Sequence, residues 1–211
     1  MDCPLCNATE TALFHRDQRR DYLRCAACQL VFVPPAYQLK ATAERAEYEL
    51  HENDPADSGY RHFLSRLAEP LLQRLPAGAS GLDFGCGPGP ALAQMLREAG
   101  CTIALYDPFF AADTAVLESR YDFITATEVV EHLHHPGVEL SRLWSLLEPG
   151  GYLGLMTKLV IDAQAFANWH YKNDPTHVCF FSVATWQWWA RHFHAELELI
   201  GSDVILLRRE R

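Results

Sequence analysis

The nine residues LDFGCGPGP, numbers 82–90, narrow most sharply what this chain can fold into. They set Gly85, Gly87 and Gly89 directly after an apolar, strand-like run and directly before the helix-like PALAQMLREAG. Glycines in that context let the backbone turn tightly at a strand end and approach a ligand closely. The surrounding pattern agrees: from residue 81 the chain alternates GLDFG, PALAQMLREAG, TIALYD, YDFITAT, GVELSRLWSLLEPGG and YLGLMT. Short apolar runs alternating with helical stretches imply right-handed crossovers and a mostly parallel sheet, so the fold class is α/β. Near the end, VATWQWWARHF reads as a helix and AELELIGSDVILLRR as two strands around Gly201-Ser202. Strands joined so tightly are antiparallel. Upstream, residues 58–75 repeat apolar positions at Phe63, Leu64, Leu67, Leu71, Leu72 and Leu75, the period of an amphipathic helix, with Pro70 as a point of kinking.

Asp107 stands 22 residues beyond Gly85, at the end of the second strand in LYDP. A carboxylate placed there can accept hydrogen bonds from both hydroxyls of a ribose. A dinucleotide is the rival ligand, but its loop reads G-x-G-x-x-G, and here the third glycine comes one residue early.

The first thirty residues carry a separate constraint. Cys3, Cys6, Cys25 and Cys28 form C-x2-C, eighteen intervening residues, and a second C-x2-C. Each pair points two thiolates at one centre, and four soft sulfurs suit a tetrahedral Zn²⁺. Four sulfurs leave no open position, so the metal is expected to be structural, replacing a core that so short a segment cannot build. The strand-like YLRC and LVFV fit the hairpin of a zinc ribbon, and strong chelation is expected to unfold that ribbon alone. Cys86, Cys101 and Cys179 sit singly and read as small apolar residues rather than nucleophiles.

With 211 residues and 49% hydrophobic content, the chain can build one sizeable core plus a small appendage. Its net charge of −9 argues against a polyanion bound over the whole surface. A local basic segment, HRDQRRDYLR, holds Arg16, Arg19, Arg20 and Arg24, but nearby acids neutralise it and it reads as a solvated face. No apolar run approaches the roughly 20 residues of a membrane span. Met1-Asp2-Cys3 opens on the cysteine motif without a basic and apolar leader, so a cytoplasmic location without a membrane partner is expected.

Taken together, residues 58–211 resemble the class I S-adenosylmethionine-dependent methyltransferases. GLDFGCGPG is similar to the family's first motif, YDP to its ribose motif, YDFITATEVVEHL to its fourth-strand motif, and LLEPGGYLGL to the turn before its fifth strand. LELIGSDVILL matches the family's final antiparallel hairpin. The resemblance implies S-adenosylmethionine as cosubstrate, with Asp83, Gly85, Gly87, Gly89 and Asp107 holding it and Thr127 and Glu128 lining its site. One segment departs: residues 108–120, PFFAADTAVLESR, stand where the family commonly has a longer helix, a third strand and an acidic adenine contact. Phe109 or Phe110 packing on the adenine is then the alternative to an acid, unless both belong to the core. The organisation expected is a zinc ribbon at 1–33, a connector at 34–57 and a methyltransferase domain at 58–211. The connector could close over the cosubstrate through Tyr48, His51, Asn53 and Tyr60.

Methyl transfer from a sulfonium is an in-line displacement with an excellent leaving group, so the protein mainly aligns the acceptor and removes its proton where needed. The candidate for that work is NWHYKNDPTHVCFFS, residues 168–182, after the fifth strand. It resembles a D-x-T-H segment that overlies the substrate in methyltransferases of small metabolites and glycans. His177 leads as proton acceptor, since an imidazole titrates near ~6.5, with His170 and Tyr171 beside it. The competing reading is that Asp174 and Thr176 merely form a capping turn around Pro175. In TEVVEHLHHP, Glu131 and His132 are expected to fix the loop and His134 and His135 to be exposed.

The leading function is methyl transfer to a small-molecule acceptor: a sugar, a glycan or lipid precursor, or a secondary metabolite. One alternative is an RNA base methyltransferase docking nucleic acid through the ribbon, because a ribbon ahead of this fold resembles one group of ribosomal-RNA enzymes. A similar four-cysteine start also resembles sugar C-methyltransferases, which carry a further C-terminal domain. Another alternative is a catalytically silent S-adenosylmethionine-binding protein. The acceptor and the oligomeric state stay open.

Overall fold

The computed structural model describes residues 1–49 and 54–210. Two sheets organise the chain. The larger has six strands: β4 (Ser80–Phe84), β5 (Thr102–Tyr106), β6 (Tyr121–Thr127), β7 (Leu147–Met156), β9 (Ala195–Ile200) and β10 (Val204–Arg209). They lie in the order β5-β4-β6-β7-β10-β9. The first four are parallel and β10 runs antiparallel to both β7 and β9. The smaller sheet holds β1 (Thr11–Arg16), β2 (Asp21–Cys25), β3 (Val31–Phe32) and β8 (Cys179–Phe180), in that order. The helices are α1 (Ala41–Tyr48), α2 (Ser58–Leu72), α3 (Ala91–Glu98), α4 (Pro136–Ser145), α5 (Ala163–Ala167) and α6 (Val183–His192).

Local chemistry accounts for the helices that flank the large sheet. The Asp57 carboxylate caps α2 by accepting the Tyr60 N–H at 2.6 Å. Leu64, Leu67, Ala68 and Leu71, one stripe at helical spacing, are buried, and Pro70 lies near the helix end. Each such leucine contributes about 1.5–3 kcal/mol by leaving water. On β7 a Cβ at Gly154 would stand 3.1 Å from Leu67 Cδ1, so the missing side chain lets α2 approach closely. A capping box between Ser182 and Thr185 starts α6, which buries Trp186 and Trp189.

The short segment between Asp107 and β6 forms an isolated antiparallel bridge from Ala111 back to Asp107 and a 3₁₀ turn at Thr114–Glu118. Among the described residues no third strand follows, and β5 is therefore the edge of the large sheet.

The ribbon hairpin of β2 and β3 forms as expected, with β1 added on one side. On the other side β3 pairs with β8, Val31 against Phe180 and Phe32 against Cys179, so the small sheet is completed by the far segment 168–182. Cys3, Cys25 and Cys28 share one buried cluster with Phe166, Phe180 and Leu143. The first cysteine knuckle also sits on the start of α4: Gly137 N–H donates to Pro4 O at 3.1 Å, and a Cβ at Gly137 would fall 2.3 Å from Leu5 O. A ribbon built this way shares its core with the rest of the chain. The lone cysteines are in keeping with small apolar residues, Cys179 being buried and Cys86 and Cys101 half-buried.

Arg16, Arg19 and Arg24 are exposed, in keeping with a solvated face, but Arg20 is not. Arg20 is 7% exposed. Its Nη2 donates to Lys172 O at 2.6 Å and Asp174 O at 2.8 Å, its Nη1 to Pro175 O at 3.3 Å, and its Nε to Tyr22 Oη at 3.0 Å. Arg19 bonds Asn173, Arg16 pairs with Asp21, and Lys172 Nζ meets Asp17 Oδ2 at 2.9 Å. A guanidinium can be buried here because its donors find carbonyls that would otherwise be unpaired. Arg20→Ala should destabilise the chain by about 3 kcal/mol, the order expected when bonds to a buried charged group are lost. Urea unfolding checks this, and a change below about 0.5 kcal/mol, ordinary for a surface position, would show that the clamp does not hold the two segments together.

Candidate active site

The carboxyl ends of β4, β5 and β6 open on a cavity of about 800 Å³. That is within the range of roughly 300–1,000 Å³ typical of small-molecule sites. Asp83, Gly85, Gly87, Gly89, Asp107, Thr127 and Glu128 all line it, as do Tyr48, Tyr60, Phe109, Phe110, His132 and His177. The loop after β4 needs its first glycine twice over: Gly85 has φ 73°, and a Cβ there would come 2.5 Å from Val129 Cγ2. Gly87 follows at φ 63°, and its N–H donates to Asp107 Oδ2 at 3.1 Å. Asp107 Oδ1 accepts from the N–H groups of Phe109 at 2.8 Å and Phe110 at 3.1 Å. Backbone donors thus fix both oxygens of this acid against the glycine loop. Deeper in, Thr125 Oγ1 donates to Asp83 Oδ1 at 2.8 Å, and burial pushes the Asp83 carboxyl up to about 6.

After β6 the chain bends sharply. Glu128 has φ 53°, a left-handed conformation that costs a non-glycine residue about 1–3 kcal/mol and clusters at functional sites. A 3₁₀ turn, Val130–His132, follows. Tyr171 reaches over from the segment after β7. Its hydroxyl donates to Glu131 Oε1 and lies 3.3 Å from both Glu128 Oε2 and Thr157 Oγ1. Glu131 is fully buried, and neither its Oε2 nor Glu128 Oε1 has a hydrogen-bond partner among the described residues. Burial raises both carboxyls above the ordinary range, and raises Tyr171 as well.

His177 is nearly buried, with Nδ1 2.8 Å from Tyr171 O. A carbonyl only accepts, so Nδ1 carries the hydrogen, and whenever the ring is neutral its lone pair is at Nε2. Nε2 is 3.7 Å from Asp174 Oδ2. Asp174 also caps Thr176, accepting from its N–H at 2.8 Å and its hydroxyl at 2.6 Å, so the turn at Pro175 exists and the histidine it carries still meets the cavity.

The residues proposed from sequence therefore divide. The glycine loop, Asp83, Asp107, Thr127, Glu128 and His177 converge on one cavity. Tyr171 lies behind its wall, bonded to Glu131, and His170 is exposed with Nε2 3.3 Å from Lys158 Nζ. His135 is exposed as expected, whereas His134 is partly covered, 3.8 Å from Glu44. From the connector, Tyr48 and Tyr60 reach the cavity, while His51 and Asn53 lie outside the described residues. Sequence reasoning missed Glu44, which also lines the cavity and accepts the Tyr48 hydroxyl at 2.8 Å. Its signal was the i, i+4 spacing of Glu44 and Tyr48 on α1.

Comparison with known proteins identifies the family and the fold. The profile of a family described as a methyltransferase domain matches residues 57–199. Over 132 residues the chain is 30% identical to the biotin biosynthesis bifunctional protein BioCD of Bordetella avium, covering 52% of this chain and 28% of that protein. The chain thus spans well under half the length of that relative. A solved 1,6-didemethyltoxoflavin-N1-methyltransferase of Burkholderia thailandensis, with bound 1,6-didemethyltoxoflavin and S-adenosylhomocysteine, is similar at TM-score 0.54 and 17% identity, over 93% of this chain and 98% of its own. Magnesium protoporphyrin IX methyltransferase of Synechocystis PCC 6803, with bound S-adenosylhomocysteine, gives 0.50 at 15% identity, over 80% of this chain and 94% of its own. These structures share the fold, and the family profile runs from α2 into β9. The chain belongs to the methyltransferase domain family.

Proposed function

We propose that this chain transfers a methyl group from S-adenosylmethionine to a small-molecule acceptor and that the cavity at the ends of β4, β5 and β6 receives both. The observation that carries the reading is Asp107, whose two oxygens are oriented by the N–H groups of Gly87, Phe109 and Phe110 at the rim of the glycine loop. When bound, S-adenosylmethionine supplies a methyl carbon made electrophilic by its sulfonium. The chain's own part is to hold and align. Asp107 takes the ribose hydroxyls, Gly85, Gly87 and Gly89 let backbone close on the ligand, and Asp83 offers a buried carboxylate to its ammonium end. Thr127 and Glu128 line the site, and Phe109 and Phe110 offer ring faces to the adenine. Tyr48 and Tyr60 cover the cavity from α1 and α2, which excludes water.

The acceptor side is then the wall formed by Glu128, His132 and His177. Tyr171 is a positioning residue, tied to Glu131 through its hydroxyl and to His177 through its carbonyl. His170 is given no role. A small molecule is favoured over RNA because Arg20 is buried, Arg16 and Arg19 are paired at the surface with Asp21 and Asn173, and the chain carries a net charge of −9. The two solved neighbours named above act on small molecules by their own names, which is consistent with this reading.

Zinc fits the ribbon. The four sulfurs of Cys3, Cys6, Cys25 and Cys28 lie within 4.8 Å of one another, with Cys3 to Cys28 at 3.4 Å and Cys6 to Cys25 at 3.5 Å. A tetrahedral ion with Zn–S near 2.3 Å separates its sulfurs by roughly 3.8 Å. The ion would supply cross-linking only, since all its positions are taken.

Asp107→Ala should weaken S-adenosylhomocysteine binding about 10- to 100-fold in calorimetry, the equivalent of losing hydrogen bonds to a charged group. Unaltered affinity would refute the ribose assignment. For Asp83 the sign is set by its raised pKa: the native state holds this proton more tightly than the unfolded chain, so its cost to stability grows as pH rises from ~4 to about 6 and is complete above that. Asp83→Asn should therefore raise the melting temperature at pH 7.5, lose that gain toward pH 4, and weaken S-adenosylhomocysteine binding. A gain that does not vary with pH would contradict the buried charge. Elemental analysis should find one zinc per chain, and Cys25→Ser should lose it and lower the single melting transition of the whole chain; an unchanged main transition would show that the ribbon core is separable.

A further inference from the structure

Two residues of the acceptor wall, His132 and His177, join Glu131 in a group of side chains that holding S-adenosylmethionine does not use. A carboxylate oxygen of Glu131 and one ring nitrogen each of His132 and His177 all lie within 4.8 Å of one another. Ligands at about 2.0–2.2 Å from a first-row metal stand about 3 Å apart when adjacent, so small side-chain rotations close this set on one ion. Two distant parts of the sequence build it: Glu131 and His132 end the turn after β6, and His177 comes from the segment clamped by the ribbon. Val178 N–H joins them by donating to Glu131 O at 2.8 Å.

The surroundings are those of preset ligands. His177 gives its Nδ1 hydrogen to the Tyr171 carbonyl, which fixes the tautomer and presents Nε2 as the donor atom. Tyr171 in turn holds Glu131 by its Oε1. A second, independent observation points to a ligand. Glu131 is fully buried, and its Oε2 has no hydrogen-bond partner among the described residues; Glu128 Oε1, close by, is in the same state. A buried carboxylate oxygen without a donor is costly, and a cation held by this group would satisfy Glu131 Oε2.

We propose that Glu131, His132 and His177 bind one divalent first-row cation. Two imidazoles and carboxylate oxygens suit Mn²⁺, Fe²⁺ or their neighbours, whereas the thiolates of the ribbon suit zinc. His132 and His177 line the cavity, so the cation's remaining positions open toward the acceptor. An acceptor that presents a hydroxyl oxygen would bind there, and the cation would ease loss of its proton, a task first assigned to the His177 imidazole. The acceptor class rests on the methyl-transfer reading; the cation site does not.

The test is a titration of the zinc-loaded full chain with Mn²⁺, followed by electron paramagnetic resonance. One Mn²⁺ should bind per chain, with nitrogen couplings from two imidazoles in the pulsed spectrum. Glu131→Gln and His177→Gln should each weaken binding at least ten-fold. Absence of binding, binding without nitrogen couplings, or affinity unchanged in both variants overturns the site. The couplings are read on the wild-type protein, so they decide the matter even if a variant fails to fold. S-adenosylhomocysteine titrated into the same wild-type sample tests the donor reading separately, because its failure to bind would sink that reading and leave the cation site standing.

Discussion

Arg20 is the interaction on which the arrangement of this molecule turns. One buried guanidinium satisfies carbonyls of Lys172, Asp174 and Pro175, and so ties the cysteine ribbon to the segment that carries Tyr171 and His177. That segment then adds β8 to the ribbon sheet on one side and sends the Tyr171 hydroxyl to Glu131 on the other. A surface element and the proposed acceptor wall are thereby parts of one hydrogen-bonded structure. The four-cysteine centre matters to catalysis in this account without touching a substrate, because it holds the strand that holds the loop.

The donor side is arranged differently. It needs no distant help: the loop after β4, the acid after β5 and the bend after β6 are each local consequences of a strand ending in a parallel sheet. Val129 fills the space a side chain at Gly85 would occupy, and the Asp107 carboxylate closes the loop against β5. The conserved logic of such sheets, with ligands outside their carboxyl ends, does the rest. The left-handed Glu128 marks where this local site meets the proposed acceptor wall.

That division explains what could be read from the sequence. Strand and helix periods revealed the large sheet, α2, α3 and α6, because each is a pattern within a dozen residues. The glycine loop and Asp107 were legible for the same reason, as was the missing third strand, since thirteen residues cannot supply it. The burial of Arg20 was not legible: its charge looks like surface, and only carbonyls some 150 residues away make the interior tolerable. The pairing of β3 with the two-residue β8 was hidden likewise, as were the shared role of Tyr171 and Glu131 and the place of Glu44 in the cavity wall. His177 was found through its D-x-T-H setting, although the same turn that could have explained it away is present in full.

A crystal structure with S-adenosylhomocysteine tests the central claim most directly, namely that this one cavity joins a donor side to an acceptor side. The account predicts the ribose hydroxyls on Asp107 and the sulfur opening toward Glu128, His132 and His177. Electron density for the ligand away from the glycine loop, or a sulfur turned from that wall, would contradict it.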